Sequence, residues 1–564
     1  LLCFLQPSAR RSSKIIHVLK RRIHTSCSLL LLLVPLLCWA QKAEQRPNVL
    51  VLMAEDMSVR VGAFGDAHAM TPTIDALAAD GVRYTNAFTT AGVCAPSRAA
   101  HITGKHQIGF GAQHMRTSSF KESSYRSVPP PELKAYPELL RQAGYFTFTV
   151  RKLDYQFSAY APGSGPFTIW NREPRDFDLD VLNPEQPFFG LVNLPQTHES
   201  QLFTENVVKN RAAGLERTVS PEIVDVPAYY PDLPAVREAI ARQYDNIAAM
   251  DRYVADILEQ LEEHQLLDNT IVVWTTDHGD GLPRGKRELY DSGIHVPLII
   301  VWPEAHRPAW IESGSVDERL VSFVDFGPSF LSLAGVPVPE WMDGKPVLVA
   351  QETQREYVFA SKDRLDEHLF RERAVRDRRF KYVRNLMPDR PGATHLAYRD
   401  RLDVMAVLWE AFEEDKLTPK QSAWFEPRPA EELYDTLADP DEVHNLAADP
   451  AYADDLARMR EALDSWLRKT PDMSDIDEAE MARSMWPDGV APKTPLPVVS
   501  DVTRHGFVLK EGVPGASLAW RFPGGEWRIA LSGVPVHVDQ GSSVLVKSVR
   551  YGWLESDEKE IELQ

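Results

Sequence analysis

The sequence predicts an α/β protein in which a large, mainly parallel sheet packs between helices. Apolar strand-like runs alternate with helical patterns from Pro47 to about Pro303, which is the pattern of parallel strands joined by crossover helices. Of the 564 residues, 44% are hydrophobic, and this is enough to bury a large core.

Four of the predicted strands change to polar residues at their carboxyl ends. They are NVLVLMAED (48–56), GYFTFTVRKLDY (144–155), FFGLVNLPQTHES (188–200) and NTIVVWTTDHGD (269–280). In open α/β sheets the ligand crevice lies at this edge. The sequence therefore predicts a site assembled from the polar residues that follow these strands.

The clearest helix is predicted over residues 235–264, where apolar residues recur at helical spacing. Residues 205–234 lack this periodicity and are predicted to form a loop. The helix belongs to a predicted catalytic domain over residues 47–320, which a smaller α+β subdomain over 321–480 follows.

A β-rich appendage is predicted over residues 500–564. A Pro-rich linker at 487–499 precedes it. The segments SLAWRF, EWRIALSG and SSVLVKSVRYGWL within it have the length and composition of short strands.

The first forty residues differ from the rest of the chain. A basic segment precedes the short apolar run SLLLLLVPLLCWA, and the small residue Ala40 stands before Gln41. This pattern predicts a secretory signal peptide over residues 1–40 and a periplasmic or secreted protein. The run is too short for stable membrane insertion. Lipidation of Cys38 is the less favoured alternative, because Leu37 is large where a small residue is expected.

Cleavage after Ala40 would leave Cys94 as the only cysteine of the chain. It would also remove six basic residues and change the net charge from −19 to −25. A disulfide within the chain is then excluded. The acidic balance argues against a nucleic-acid partner.

Cys94 begins the segment CAPSRAAHITG, which is predicted to form a helix that ends at Gly104. Pro96 suits the first turn of such a helix. Backbone N–H groups and the helix dipole favour an anion at a helix start, and Arg98 is a bidentate anion binder. From its position alone, Cys94 also fits a small buried side chain.

Two acidic pairs follow predicted strands, Glu55–Asp56 after the first and Asp277–His278 after a later one. Taken alone, each pair is equally typical of a solvated turn or a helix cap. Because both pairs fall at strand ends, the sequence predicts a single metal site. Oxygen-rich sites favour Ca²⁺ or Mg²⁺.

The Cys-x-Pro-Ser-Arg pattern at 94–98, followed by ITGK at 102–105, resembles the signature of the type I, formylglycine-dependent sulfatases. The resemblance covers about residues 47–470. It implies an alkaline-phosphatase-like sandwich, with a large mixed, mainly parallel sheet between helices, and a sulfuric ester hydrolase activity. In that family a maturation enzyme oxidises the cysteine to formylglycine (3-oxoalanine), so Cys94 is the expected modified residue.

The chemistry of formylglycine explains why this family needs a cysteine. The hydrated aldehyde carries two hydroxyls on one carbon. One attacks sulfur and displaces the alcohol, and the other, once deprotonated, expels sulfate and restores the aldehyde.

The resemblance assigns roles to further residues. The expected catalytic residues are Cys94, Arg98, Lys152, His198 and Lys286. Lys152 and Lys286 would contact the sulfate, and His198 would protonate the departing alcohol. Arg287, next to Lys286, is interpreted as a surface charge or a substrate contact.

The resemblance also implies a bound divalent metal, Ca²⁺ with Mg²⁺ as the alternative. The expected ligands are Glu55, Asp56, Asp277 and His278. Glu55 departs from the family, which usually has Asp there. Asp154 stands where the family commonly has His, so it is expected to bind substrate or to orient Lys152.

Segments 103–119 and 361–385 resemble those of bacterial sulfatases that act on sulfated polysaccharides. The residues expected to bind the sugar are His106, His114, Arg116, Asp154, Arg364 and Asp366. For the charged run RDRRFKYVR, a solvated strand face is the alternative.

The predicted function is therefore an exported sulfatase that hydrolyses sulfate esters of a sulfated polysaccharide or oligosaccharide. Two alternatives stay open. One is a phosphatase or phosphonate monoester hydrolase of the same superfamily, and the other is an inactive glycan-binding relative.

Overall fold

A seven-stranded mixed sheet lies at the centre of the protein. The computed structural model describes residues 46–122, 124–180, 182, 186–539 and 541–564. The strands of the central sheet are β1 (Asn48–Ala54), β2 (Val82–Phe88), β3 (Phe146–Val150), β4 (Phe188–Leu194), β5 (Thr270–Thr276), β6 (His295–Val301) and β7 (Ser315–Ser322). The predicted signal peptide over 1–40 lies outside the described residues.

The strand order in this sheet is β3-β4-β1-β5-β6-β2-β7. Strand β6 pairs antiparallel with both of its neighbours, whereas the other pairings in the sheet are parallel. Six strands therefore run in one direction. The predicted mainly parallel sheet is confirmed, and the carboxyl ends of these six strands share one edge.

Helices cover both faces of this sheet. The helices of the described chain are α1 (Pro72–Asp80), α2 (Cys94–Thr103), α3 (Tyr136–Gln142), α4 (Thr204–Ala212), α5 (Pro234–Glu263), α6 (Asp291–Ile294), α7 (Phe326–Leu333), α8 (Asp403–Glu413), α9 (Pro419–Ser422), α10 (Ala453–Lys469) and α11 (Glu478–Met485). Of these, α1, α5 and α8 contribute to the core on one face of the sheet, and α2, α3 and α7 to the core on the other. None of the helices in the described part of the chain is long and apolar enough to cross a membrane.

Strand β1 is buried on both faces, which explains its unbroken apolar sequence. Successive side chains of a strand point to opposite faces. Leu50 and Leu52 belong to the core that includes Ile247 of α5. Val51, in contrast, belongs to the core that includes Ile102 of α2. A strand covered on both sides needs apolar residues at every position.

Helix α5 confirms the predicted helix over 235–264. The prediction of a loop over 205–234 is wrong for its first residues, because α4 spans Thr204–Ala212. Helix α4 buries none of its side chains. A helix without a buried face carries no apolar periodicity in its sequence, so the pattern could not reveal it.

Cys94 begins α2, as predicted, and the helix ends at Gly104. The backbone of Gly104 is left-handed, with a φ of 70°, and its N–H group donates to the carbonyl oxygen of Ala100. Glycine adopts this conformation without the steric cost of a Cβ atom. The turn fixes where the chain leaves α2.

The C-terminal part contains three antiparallel sheets. The first comprises β8 (Val358–Lys362), β9 (Glu372–Arg376), β10 (Phe380–Asn385) and β11 (Glu431–Asp435), and α10 packs on it. The other two lie within the predicted β-rich region. Their strands are β12 (Val498–Thr503), β13 (Gly506–Lys510), β14 (Ala516–Arg521), β15 (Arg528–Ala530), β16 (Pro535–His537), β17 (Ser543–Arg550) and β18 (Lys559–Glu562).

Tyr551, which follows β17, inserts into the core beneath the central sheet. Its side chain is fully buried, and its ring centroid lies 4.9 Å from that of Phe157. Its hydroxyl donates to Glu138 Oε2 at 2.9 Å. Lys134 Nζ adds a bond to the carbonyl oxygen of Gly515 at 2.8 Å. The β-rich region is thus joined to the catalytic layers by buried contacts.

We predict that Tyr551→Ala lowers the free energy of unfolding by about 3–5 kcal/mol, because it leaves a cavity in the core. Tyr551→Phe keeps the ring and loses two hydrogen bonds, one to Glu138 Oε2 and one from the backbone N–H group of Ala135, so it should cost less, about 2 kcal/mol. Urea denaturation followed by tryptophan fluorescence measures both values. An alanine variant as stable as the parent protein would show that this contact contributes nothing to the core.

Candidate active site

The carboxyl ends of four neighbouring parallel strands bring the predicted site residues together. The register pairs Ala54 at the end of β1 with Leu194 of β4 on one side and with Thr276 of β5 on the other. Val150 at the end of β3 pairs with Val192 of β4. The residues that follow these ends are Glu55, Asp56, Lys152, His198, Asp277 and His278.

Asp56, Cys94, Asp277 and His278 form a buried group whose ligand atoms all lie within 4.8 Å of one another. His278 Nε2 is 2.9 Å from Asp56 Oδ1 and 3.3 Å from Cys94 Sγ. The backbone N–H group of Asp56 donates to Asp277 Oδ1 at 3.0 Å.

This donor set fits a divalent cation. Ca²⁺ and Mg²⁺ prefer sites in which every ligand atom is oxygen. Two carboxylates and one imidazole nevertheless form a set that binds divalent cations in general. His278 Nδ1 lies 3.1 Å from the carbonyl oxygen of Gly279, which can only accept, so Nδ1 carries a proton. In the neutral imidazole, the lone pair of Nε2 then faces the carboxylates of Asp56 and Asp277.

The carboxylates of Asp56 and Asp277 also raise the pKa of His278. Burial lowers the pKa of His278, but the charges of Asp277 and Asp56 outweigh burial and raise it to about 10. A proton and a metal ion would therefore compete for Nε2.

Glu55 is engaged differently from the other three predicted metal ligands. Its Oε2 atom accepts a hydrogen bond from Lys152 Nζ at 2.8 Å and lies 3.9 Å from His198 Nε2. The side chain therefore contacts cationic and histidine groups beside the four-residue group, of which it is not a member.

Three buried cations neutralise the acidic residues. Lys286 Nζ donates to Asp56 Oδ2 at 2.5 Å, and both Nε and Nη2 of Arg98 lie 3.0 Å from Asp277 Oδ2. Lys152 Nζ is 3.7 Å from the same atom. Burial favours protonation of Asp277, yet His278, Arg98 and Lys152 hold its pKa well below the usual range. The carboxylates stay ionised because each is paired.

The same cations stabilise negative charge on Cys94. The thiol is fully buried, and burial opposes its ionisation. The charges of Lys152 and Lys286 outweigh this effect and lower the pKa of Cys94 to about 6. The cluster therefore favours an anion at the start of α2.

His198 lies between this cluster and solvent. Its Nδ1 atom accepts a hydrogen bond from the backbone N–H group of Ser200 at 3.2 Å, so the proton of the neutral ring is on Nε2. Nε2 lies 3.9 Å from both Glu55 Oε2 and Asp56 Oδ2. The side chain is 14% exposed, which leaves this N–H donor accessible at the edge of the cluster.

Sequence reasoning missed an ion pair that holds two of these segments together. Arg287 donates to both carboxylate oxygens of Glu199, at 2.7 and 2.9 Å. The backbone N–H group of Glu199 donates to Asp56 Oδ2 at 2.7 Å. Arg287 is 4% exposed, so its interpretation as a surface charge is wrong.

A signal for this pair was present in the sequence. Glu199 directly follows His198 and Arg287 directly follows Lys286, so opposite charges stand beside two expected catalytic residues. If His198 and Lys286 lie at the same edge of the sheet, Glu199 and Arg287 beside them must also lie close together.

Three of the six predicted sugar-binding residues lie beside the cluster. Asp154 Oδ2 is 4.0 Å from Lys152 Nζ. Burial lowers the pKa of Arg116, but Asp154, the Cys94 thiolate and Asp366 outweigh it and raise the pKa above its ordinary value. Arg116 Cζ lies 5.9 Å from the ring centroid of Tyr160, and Lys152 Nζ of the cluster lies 5.5 Å from the same centroid.

The other three predicted sugar-binding residues are buried against the C-terminal part. The ring of His106 packs on Trp466 of α10, with the centroids 5.0 Å apart. His114 Nδ1 accepts from the backbone N–H group of Arg364 at 3.2 Å. The Arg364 guanidinium bonds both carboxylate oxygens of Glu478, at 2.6 and 2.9 Å.

The sheet edge and its buried anion-stabilising cluster agree with the predicted hydrolase of the alkaline-phosphatase-like class. Comparison with known proteins narrows this class. The sequence model described as Sulfatase matches residues 47–173 and 175–336. An ulvan-active sulfatase of Formosa agariphila is 36% identical over 515 residues, which cover 85% of this chain and 84% of that protein. The chain belongs to the sulfatase family, and it is a sulfuric ester hydrolase.

Two further relatives agree with this assignment. The N-sulphoglucosamine sulphohydrolase of Homo sapiens is 30% identical over 499 residues, which cover 79% of this chain and 93% of that protein. A solved 2-O GAG sulfatase has a TM-score of 0.57 at 21% identity and covers 76% of this chain and 94% of that one. The second likeness confirms the predicted fold class.

We predict that Arg287→Met lowers the free energy of unfolding by about 3–5 kcal/mol, because it leaves the Glu199 carboxylate buried without its partner. The double variant Glu199→Met/Arg287→Met should recover much of this loss, since it removes both charges. Urea denaturation of the two variants tests the prediction.

The exposed pair Arg378–Glu318, with side chains 62% and 65% exposed, provides the control. Arg378→Met should change stability little, because exposed ion pairs contribute little. Equal losses in Arg287→Met and Arg378→Met would contradict the assignment of a buried, stabilising pair.

Proposed function

We propose that this sulfatase removes sulfate esters from a sulfated polysaccharide or oligosaccharide, with a formylglycine derived from Cys94 and a divalent metal. The observation that carries the proposal is the position of Cys94 Sγ. It lies 3.7 Å from Asp56 Oδ1 and 3.3 Å from His278 Nε2, at a point where Lys152 and Lys286 stabilise negative charge.

Conversion of Cys94 to an aldehyde is a two-electron oxidation. The C–S bond breaks, water supplies the aldehyde oxygen, and sulfur leaves as H₂S together with two protons and two electrons. Molecular oxygen or another two-electron acceptor, used by a formylglycine-generating maturation enzyme, would take up the electrons. As its hydrate, the aldehyde supplies one hydroxyl that attacks sulfur and a second whose deprotonation expels sulfate.

The remaining residues of the cluster bind and orient the sulfate group. The ammonium groups of Lys152 and Lys286 are buried and already positioned, so they stabilise charge on the sulfate oxygens without reorganisation. Arg98 fixes Asp277 through two nitrogens. His198 presents Nε2 at the accessible edge, and in its protonated form it would give the Nε2 proton to the departing sugar oxygen.

Asp56, Asp277 and His278 would hold the metal, with Glu55 beside them. We propose Ca²⁺, with Mg²⁺ as the alternative. When bound, the cation would lower the pKa of the nucleophile and withdraw charge from the sulfate oxygens.

A carbohydrate substrate is supported by the relatives. One is described as ulvan-active, one as an N-sulphoglucosamine sulphohydrolase and one as a 2-O GAG sulfatase. The sequence pattern of residues 1–40 adds the proposal that the protein is exported to the periplasm or secreted. Release of free sulfate from a panel of sulfated oligosaccharides would test the substrate class.

We predict that position 94 carries an aldehyde in protein produced together with a maturation enzyme. Peptide mass spectrometry should find a lighter peptide that reacts with a hydrazine probe. Cys94→Ala should lower kcat/KM by about a thousandfold or more, because the nucleophile is lost. Fully active protein with only an unmodified thiol at position 94 would rule out this mechanism.

Hydrolysis rates measured on a sulfate ester and a phosphate ester of the same phenol distinguish the proposed sulfatase activity from the phosphatase alternative. A sulfatase should favour the sulfate ester. A clear preference for the phosphate ester would overturn the proposal even if the aldehyde is found.

We predict that a chelator removes both activity and bound metal, and that Asp277→Asn lowers the metal content by itself. The loss follows from removing one charged ligand of the group. Elemental analysis of the dialysed protein gives the metal content independently of activity. Asp343→Asn is the matched control, because its carboxylate contacts Lys105 at 3.2 Å and is outside the group. Equal metal content in the parent protein, Asp277→Asn and Asp343→Asn would contradict the assignment of Asp277 as a metal ligand.

A further inference from the structure

Two tyrosine side chains beside the buried cluster are open to solvent. Tyr160 is 46% exposed and Tyr398 is 37% exposed. In contrast, Asp56, Cys94 and Lys152 are fully buried. A large aromatic ring that is exposed at the edge of a polar site is shielded from water only when a bound molecule packs on it.

Tyr160 is tied to the segment that carries Lys152. The backbone N–H group of Leu153 donates to the carbonyl oxygen of Tyr160 at 3.0 Å, and that of Asp154 donates to Ala159 at 3.0 Å. The Tyr160 ring centroid lies 5.5 Å from Lys152 Nζ and 5.9 Å from Arg116 Cζ. The ring is therefore held at the edge of the cluster by the same turn that positions Lys152.

Tyr398 approaches from a different segment. Its ring packs edge-on against Phe203, with the centroids 5.2 Å apart, and Phe203 lies in the segment that follows His198. The backbone N–H group of Phe203 donates to the carbonyl oxygen of Ser200 at 3.2 Å, and the backbone N–H group of Ser200 donates to His198 Nδ1 at 3.2 Å. Tyr398 is therefore joined through Phe203 to the segment that carries His198.

Asp154 supplies a polar group next to Tyr160. Its side chain is 7% exposed, and its Oδ2 atom accepts no hydrogen bond from any described residue. A buried carboxylate oxygen without a donor is costly. A hydroxyl group of a bound molecule would satisfy it.

We infer that Tyr160 and Tyr398 are the platform that holds the sugar ring carrying the sulfate, with Asp154 as the acceptor for one of its hydroxyls. The inference rests on the proposed carbohydrate substrate and deepens it. The C–H bonds of a sugar ring form an apolar face with partial positive charge, which matches the negative face of an aromatic ring. Hydroxyls at the ring edge need acceptors such as Asp154.

The test uses full-length matured protein and one sulfated oligosaccharide that the parent protein hydrolyses. Tyr160→Ala and Tyr398→Ala should each lower kcat/KM by about tenfold or more. Tyr160→Phe and Tyr398→Phe keep the ring and should stay within about threefold of the parent. Inhibition by inorganic sulfate, which lacks a sugar ring, should be unchanged in all four variants.

Leu437→Ala is the control for loss of an exposed apolar side chain, since Leu437 is 71% exposed on the turn after β11. It should leave kcat/KM unchanged. Alanine variants that retain parental kcat/KM would overturn the platform. Weakened inhibition by sulfate would also overturn it, because the tyrosines would then support the charge cluster. A parent protein that releases no sulfate from any sulfated oligosaccharide would instead refute the proposed substrate class.

Discussion

The pairing of buried charges at one sheet edge is the interaction on which the rest of the site depends. Adjacent parallel strands β1 and β5 end level with each other, so Asp56 and Asp277 are placed side by side. Two carboxylates cannot stay ionised there without partners. Lys286 and Arg98 supply these partners, and their own segments are thereby fixed in position. Stability and anion recognition arise from the same contacts.

The sum of the charges in this cluster suits the binding of a sulfate ester. Glu55, Asp56 and Asp277 are offset by Lys152, Lys286 and Arg98, so the buried groups are close to neutral in sum. A bound dication, as we propose, would leave a net positive pocket. That charge suits an anionic group better than a neutral ester, and the low local dielectric strengthens the preference.

The sequence allowed the sheet, α5 and the strand-end residues to be predicted, because a strand buried on both faces and a helix with one apolar face leave clear periodicities. The buried group of Asp56, Cys94, Asp277 and His278 followed from the order of the strand ends together with a family motif. Helix α4 left no such pattern, because it buries nothing. The bond of Arg364 with Glu478 joins distant segments, and local sequence does not encode which charges meet. For the same reason, His106 and His114 were expected to bind the sugar although tertiary packing buries them.

The burial of Tyr551 has a consequence for the order in which the protein is made. Chains emerge from the ribosome amino end first. Tyr551, which fills the space beneath β1 and α3, is synthesised about 500 residues after β1. Until it has emerged, the nascent protein lacks one of its own interior side chains. The core beneath β1 and α3 is therefore completed only when the β-rich region docks.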